Sequence, residues 1–213
     1  MTKKELALAV TQRLREAYPD SGCSLDYQDA WQLLVSVRLA AQCTDARVNL
    51  VMEELLQRFP TVEALAKAAP EDIERVIRPC GLGRSKARDI SACMRILHEH
   101  CKDRVPDTME ELLALPGVGR KSANLILGDV YGKPAIVTDT HCIRLSNRIG
   151  LVDGIKEPGK VERELWKIIP PEEGNQLCHR FVDHGRAVCI ARRPQCEGCC
   201  LADLCRYRSE QEG

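Results

Sequence analysis

Aromatic side chains are scarce in this chain: two tryptophans, four tyrosines and two phenylalanines, 4% of 213 residues. That scarcity excludes a platform of stacked rings of the kind that grips single-stranded nucleic acid. Net charge is lacking too. Lys plus Arg equals Asp plus Glu at 31 each, so a face that binds a polyanion has to come from the distribution of charge and not from its sum. No run of about eighteen apolar residues exists, which excludes a membrane-spanning helix. The opening "MTKKELALAVTQRLREAYPD" places Glu5 and Arg13 where a signal peptide needs an uninterrupted apolar stretch. Cysteine is the abundant exception, at twelve. Without a secretory signal, the expectation is reduced thiols and metal ligands in a soluble, cytoplasmic protein, not a disulfide framework.

Strand patterns are nearly missing as well. Apolar residues recur at helical spacing, as in Leu6, Val10, Leu14 and in Ala87, Ile90, Met94, Leu97. Only "PAIVT", 134 to 138, reads as a strand, and it is short. Breakers at Pro60-Thr61, Pro79-Cys80-Gly81 and Pro116-Gly117 separate the periodic runs. Thr108 followed three residues later by Glu111 predicts a capping box, with a helix that ends at Pro116. The fold class is all-α, and the length allows one or two compact domains.

Two stretches echo each other: "PCGLGRSKARDI", 79 to 90, and "LPGVGRKSANLI", 115 to 126. Each reads as helix, Gly-x-Gly turn, basic residue, second helix. Glycines at 117 and 119 allow positive φ and the close approach of another backbone. Amides at the start of the following helix then form an anion site suited to a phosphodiester. The pattern alone leaves open a helix-ending turn with no ligand. A nucleotide-binding P-loop fits poorly, because Arg120 stands where a glycine must precede the Lys-Ser pair, and no strand precedes the turn as a dinucleotide fingerprint requires.

Lys121 is placed oddly for a structural cation, at a helix start that already carries positive partial charge. It reads either as a phosphate-holding surface lysine or as a nucleophile, since the helix terminus and Arg120 both favour the neutral amine. Eighteen residues on, "VTDTHCIRLSNRIG" sets Asp139 just before His141 and Arg144. Asp139 is a good helix N-cap, and a capping carboxylate, fixed in direction, can also steady a developing sugar cation or help to activate the attacking group.

The tail "CIARRPQCEGCCLADLC" gives Cys189, Cys196, Cys199 and Cys205 the spacing C-x6-C-x2-C-x5-C, with Cys200 left over. Four such thiols in a reducing cell read as metal ligands. The spacing leaves zinc and an iron-sulfur cluster open and leans to the second, because there is a single C-x2-C with longer arms. Arg192 and Arg193 lie between the first two ligands, on a loop that a metal centre would pin at both ends. With Arg180 and Arg186 upstream they make one basic cluster, and Arg84, Lys86 and Arg88 make a second.

In this order and spacing, "AQCTD" at 41 to 45, "CGLGRSKA" at 80 to 87, "LPGVGRKSAN" at 115 to 124, "TDTH" at 138 to 141 and the four-cysteine tail resemble the endonuclease III family of base-excision repair glycosylases. The resemblance covers nearly the whole chain. It implies a helix-hairpin-helix fold: a six-helix domain over 22–133, and a second helical domain from 1–21 plus 134–213 with a [4Fe-4S] cluster on the four cysteines. It implies double-stranded DNA with damaged bases or abasic sites as the partner, bound by a monomer. Lys121 would attack C1′ of a flipped-out nucleotide with Asp139 assisting, followed by a Schiff base and β-elimination. Gln42 and Leu82 would fill the vacated position. Gly117, Gly119, Arg120, His141, Arg144, Arg192 and Arg193 complete the expected DNA contacts. Oxidised pyrimidines are the implied substrates. A monofunctional mismatch glycosylase, a non-catalytic DNA binder and a zinc-stabilised structural protein are the competing readings. The chain departs from the family pattern at Ala41, Cys43, "DAW" 29 to 31, Thr138 and Cys142, positions expected near the pocket or the aspartate.

Overall fold

A computed structural model describes residues 1–212. Among these the chain forms twelve α-helices and short 3-10 turns, with no strand. None of the helices is long and apolar enough to cross a membrane. The helices divide between two compact units, one over Cys23–Tyr131 and the other from residues 1–22 together with the chain from Gly132 onward.

The first unit carries seven helices where six were expected: α2 (Ala30–Leu39), α3 (Asp45–Arg58), α4 (Val62–Lys67), α5 (Pro70–Ile77), α6 (Gly83–His100), α7 (Met109–Ala114) and α8 (Arg120–Asp129); α1 belongs to the other unit. The seventh arises because Thr61 caps α4 by accepting from the Ala64 amide at 3.1 Å, while Ala68 and Ala69 turn extended ahead of Pro70. Proline at the first position of α5 loses no hydrogen bond there. α4 and α5 both pack on α6, the longest helix. Its inward face is Ala87, Ile90, Cys93, Met94 and Leu97, each at most 3% exposed. Burial of such side chains stabilises by about 1.5–3 kcal/mol apiece for the larger ones. Thr108 caps α7, its Oγ1 accepting from the Glu111 amide at 3.3 Å, but the predicted capping box is only half formed, because the Glu111 carboxylate accepts from the Thr108 hydroxyl at 2.6 Å and not from its backbone amide.

The second unit holds α1 (Lys3–Ala17), α9 (Thr140–Ile149), α10 (Pro158–Leu165), α11 (Gly174–Ala187) and α12 (Arg206–Glu212). α1 begins with a capping box from Thr2 and Glu5 and buries Val10 and Leu14 of the expected stripe, with Ala7 buried in place of Leu6, which is only half-buried, and with α11 packed beside the helix. The strand expected at 134–138 does not form. Ala135 to Thr138 are buried but belong to no strand, because a lone β-branched run has no second strand to complete a ladder.

Candidate active site

The two glycine hairpins share a design and then diverge. Gly81 and Gly117 hold equivalent places, both at positive φ, +69° and +76°. The next residues differ. Leu82 is left-handed at φ 51°, ψ 31° and 55% exposed, whereas Val118 packs against the core. α6 starts from left-handed Leu82, while α8 starts from Gly119, which is extended at φ −100° and provides no side-chain cap. The first-turn amides of α8 therefore keep the anion-binding character of an uncapped helix start.

Gly117 is fixed by its neighbours. A Cβ there would stand 2.8 Å from Asp89 Cβ and 2.9 Å from Arg38 Nε, atoms of an ion pair in which Arg38 Nε donates to Asp89 Oδ2 at 2.8 Å. A Cβ on Gly119 would meet nothing within 4 Å. The chain itself thus needs glycine at 117, while at 119 the missing side chain leaves room for something outside the unit. Lys121, the second residue of α8, is exposed and makes no hydrogen bond or ion pair with any described residue. Arg120 beside it is also exposed.

Gln42 and Leu82, expected to fill the duplex, share an unusual backbone. Four residues other than glycine have positive φ among those described, and these are two of them, at 59° and 51°. An L-residue in the left-handed region costs roughly 1–2 kcal/mol, and such outliers collect at functional sites. Lys86 is not the surface cation that the second basic cluster assumed. It is wholly buried, which leaves Arg84 and Arg88 as the exposed cations of that hairpin. Its burial also depresses the pKa of the ammonium. Cys80 is pushed up to about 11 by burial and by the Cys43 thiol beside it.

In the second unit Asp139 caps α9, with Oδ1 accepting from the Cys142 amide at 2.8 Å. Oδ2 has no hydrogen bond with the described residues. The carboxylate is half-buried and fixed in direction. One turn on, Arg144 turns back onto the root of the cysteine loop. Its Nε and Nη2 donate to the Cys189 carbonyl at 3.2 and 3.0 Å, and Nη2 also lies 3.1 Å from the Gly185 carbonyl and from His141 Nδ1.

Arg148, four residues further along the same face, escaped the sequence reading. It donates to the carbonyls of Ile190 (3.0 Å) and Ala191 (2.6 Å) and toward the Cys189 sulfur at 3.4 Å. The i, i+4 spacing of two arginines on a helix that precedes the cysteine tail was the available signal. The two guanidiniums together hold the loop that carries Arg192 and Arg193, both exposed.

Cys189, Cys196, Cys199 and Cys205 line one cavity, walled by Leu145, Ile149 and Leu201. Cys200 is not in that lining; its carbonyl accepts from Arg13 at 3.0 Å. His184, also missed from sequence, is buried with Nε2 3.4 Å from the Cys199 sulfur and Nδ1 3.0 Å from the Tyr18 hydroxyl. Among the described residues no three His, Cys, Asp or Glu side chains form a ready-made group for a single metal ion. Four thiols around a shared cavity, with N–H groups aimed at two of them, suit a larger iron-sulfur group.

Four residues placed in sequence by charge or family pattern turn out otherwise. Arg180 is buried at 6% exposure beside Glu173 and the Tyr18 carbonyl, so it leaves the basic cluster. Trp31, Thr138 and Cys142 are core positions; Cys142 is wholly buried against Cys178, whose thiol, together with burial, raises its pKa.

The profile of the family described as "HhH-GPD superfamily base excision DNA repair protein" matches residues 35–171. Fold and hairpin thus define a base-excision repair protein of the helix-hairpin-helix class. Endonuclease III from Synechocystis sp. is 46% identical over 205 residues, 96% of this chain and 93% of its own length, and endonuclease III from Escherichia coli K12 is 38% identical over 207 residues, 97% and 98% respectively. Solved structures of a trapped endonuclease III–DNA covalent intermediate and of a non-covalent endonuclease III–DNA complex each superpose with a TM-score of 0.92 at 38% identity, covering 100% of this chain and 100% and 99% of theirs. The chain belongs to the endonuclease III family, DNA glycosylases and abasic-site lyases of base-excision repair. A thermostable thymine-DNA glycosylase, with a TM-score of 0.85 at 20% identity over 98% of this chain and 97% of its own, shares the fold.

Proposed function

We propose that the chain acts on duplex DNA, removes oxidised or ring-saturated pyrimidines, and cuts the resulting abasic strand, with Lys121 as the nucleophile. The observation that carries this reading is the second hairpin: an uncapped helix start, open space at Gly119, and an exposed, unpartnered lysine at the second residue of α8. In the proposed reaction neutral Lys121 Nζ attacks C1′, and the base departs with the bonding electrons and takes up a proton. Loss of the nitrogen proton and opening of the sugar ring give the Schiff base. Removal of a C2′ proton then expels the 3′ phosphate, and water frees the lysine. The Asp139 carboxylate, with Oδ2 unpartnered, steadies the positive charge that builds on the sugar. That a relative of the same fold has been trapped as a covalent intermediate with DNA supports the assignment.

Gln42 and Leu82 fill the space left by the flipped nucleotide. Gly117 shapes the hairpin, while the backbone at Gly119, Arg120, His141, Arg192 and Arg193 contact phosphates. Arg144 serves binding through the loop it holds. Cys189, Cys196, Cys199 and Cys205 hold a [4Fe-4S] cluster, which, when bound, fixes the loop of Arg192 and Arg193 at both ends.

The test separates the two chemical steps. With a thymine-glycol duplex, the parent protein releases the base and cuts the strand, and Lys121→Gln loses at least 1000-fold in both, a figure of the order expected for a nucleophile. Asp139→Asn slows base release without abolishing DNA binding. Base release by the parent with strand breaks only after alkali treatment would instead establish the monofunctional reading.

A further inference from the structure

Lys86 does something that neither the glycosylase step nor the lyase step requires. Its three ammonium protons meet three backbone carbonyls: Leu39 at 2.7 Å, Ala41 at 2.7 Å and Cys80 at 2.8 Å. That exhausts the donors of a lysine. No carboxylate pairs with it among the described residues, so the buried charge is balanced by carbonyl dipoles alone, two of them at the C-terminal end of α2, where cations are favoured.

The carbonyls belong to two loops. Ala41 immediately precedes Gln42, and Cys80 stands two residues before Leu82. Gln42 and Leu82 are two of the four exposed residues other than glycine that this unit holds at positive φ, and a strained backbone persists only where its surroundings over-determine it. We propose that Lys86 is a positioning residue for base excision, a cationic staple that holds the loops of Gln42 and Leu82 at fixed separation so that both side chains enter the duplex together. The inference rests on the reading of Gln42 and Leu82 as the residues that fill the vacated position.

A comparison within the chain shows how the same hairpin design yields this part. Counted from the paired glycines Gly81 and Gly117, Lys121 stands one place earlier in the second hairpin than Lys86 does in the first. One residue is a rotation of about 100°. It turns one lysine to solvent, where it can react, and the other into the core, where it can only hold.

The experiment uses the cluster-loaded full chain and four proteins: parent, Lys86→Met, Gln42→Ala/Leu82→Ala, and the triple variant. Two substrates are compared under single turnover: thymine glycol opposite adenine in a duplex, which must be unstacked, and a preformed abasic site in a single strand, which need not be. A 2-aminopurine next to the lesion reports unstacking. Lys86→Met is expected to lower base release from the duplex by 10- to 100-fold and to lose the 2-aminopurine signal, while single-strand cleavage changes less than threefold. In the Gln42→Ala/Leu82→Ala background the same substitution adds nothing further, the non-additivity of residues that act as a unit.

Equal losses on both substrates, or a full additional loss in the triple variant, would overturn the positioning role. If Gln42→Ala/Leu82→Ala alone leaves duplex excision unchanged, the underlying reading of those two residues fails, whatever Lys86 does. Should Lys86→Met not fold, Lys86→Gln, which still offers two donors, is read by the same ratios.

Discussion

Gly117 and Gly119 sit two residues apart in one turn, yet the structure assigns them opposite duties. At Gly117 an added methyl carries two costs. The left-handed φ of +76° costs an alanine roughly 1–2 kcal/mol, and the contacts at 2.8 and 2.9 Å force apart the half-buried Arg38–Asp89 pair, another 1 kcal/mol or so. Gly117→Ala should therefore lower stability by about 2–3 kcal/mol. At Gly119 φ is ordinary and the space is empty, so Gly119→Ala costs only what alanine costs against glycine at an N-cap, about 0.5–1 kcal/mol. Its effect falls on DNA, because a methyl there keeps a phosphate from the α8 amides. Urea unfolding followed by circular dichroism measures the first quantity. Fluorescence anisotropy with a duplex carrying a tetrahydrofuran abasic analogue measures the second. Gly119→Ala should unfold nearly as the parent does and bind at least tenfold more weakly. If it binds as tightly as the parent, the hairpin does not meet DNA through its backbone, and the anion site on α8 is wrong.

Arg148→Met should weaken DNA binding about tenfold and speed loss of the broad cluster absorbance near about 400 nm, while turnover at saturating DNA stays within threefold, because the residue holds the Arg192–Arg193 loop and donates to Cys189. Affinity should fall steeply with salt. Arg192→Ala should make the slope of log K against log salt shallower by about one, the share of a single phosphate contact. Burial raises Cys93 to about 12 from an ordinary 9.0, so its contribution to stability is complete below pH 9 and is lost as pH climbs toward 12. Its share of the slope is about 1.4 kcal/mol per pH unit. Urea midpoints of parent and Cys93→Ala between pH 8 and 10.5 should show the variant falling less steeply.

Local signals in the sequence carried much of the site. The Thr108 cap and the Asp139 cap depend on neighbours within four residues, and they and the Gly117 turn form where the spacing places them. The periodic face of α6 behaves likewise. What stayed hidden depends on partners far along the chain. Lys86 looks solvated in "GRSKARD" because its acceptors are the carbonyls of Leu39 and Ala41, more than forty residues earlier. Arg148 and Arg180 look like surface cations until the Ile190 carbonyl and Glu173 are brought to them. "PAIVT" has strand composition, but strand formation needs a second strand that the chain does not contain among its described residues.

The most direct test of the central claim is covalent capture. Parent protein and Lys121→Ala are incubated with thymine-glycol duplex and borohydride, run on a denaturing gel, and the adduct is digested for peptide mass mapping. The account predicts a single adduct with the parent, its sugar remnant on Lys121, and none with Lys121→Ala even where that variant binds the duplex as the parent does. An adduct that persists in Lys121→Ala, or that maps to another amine, would contradict it.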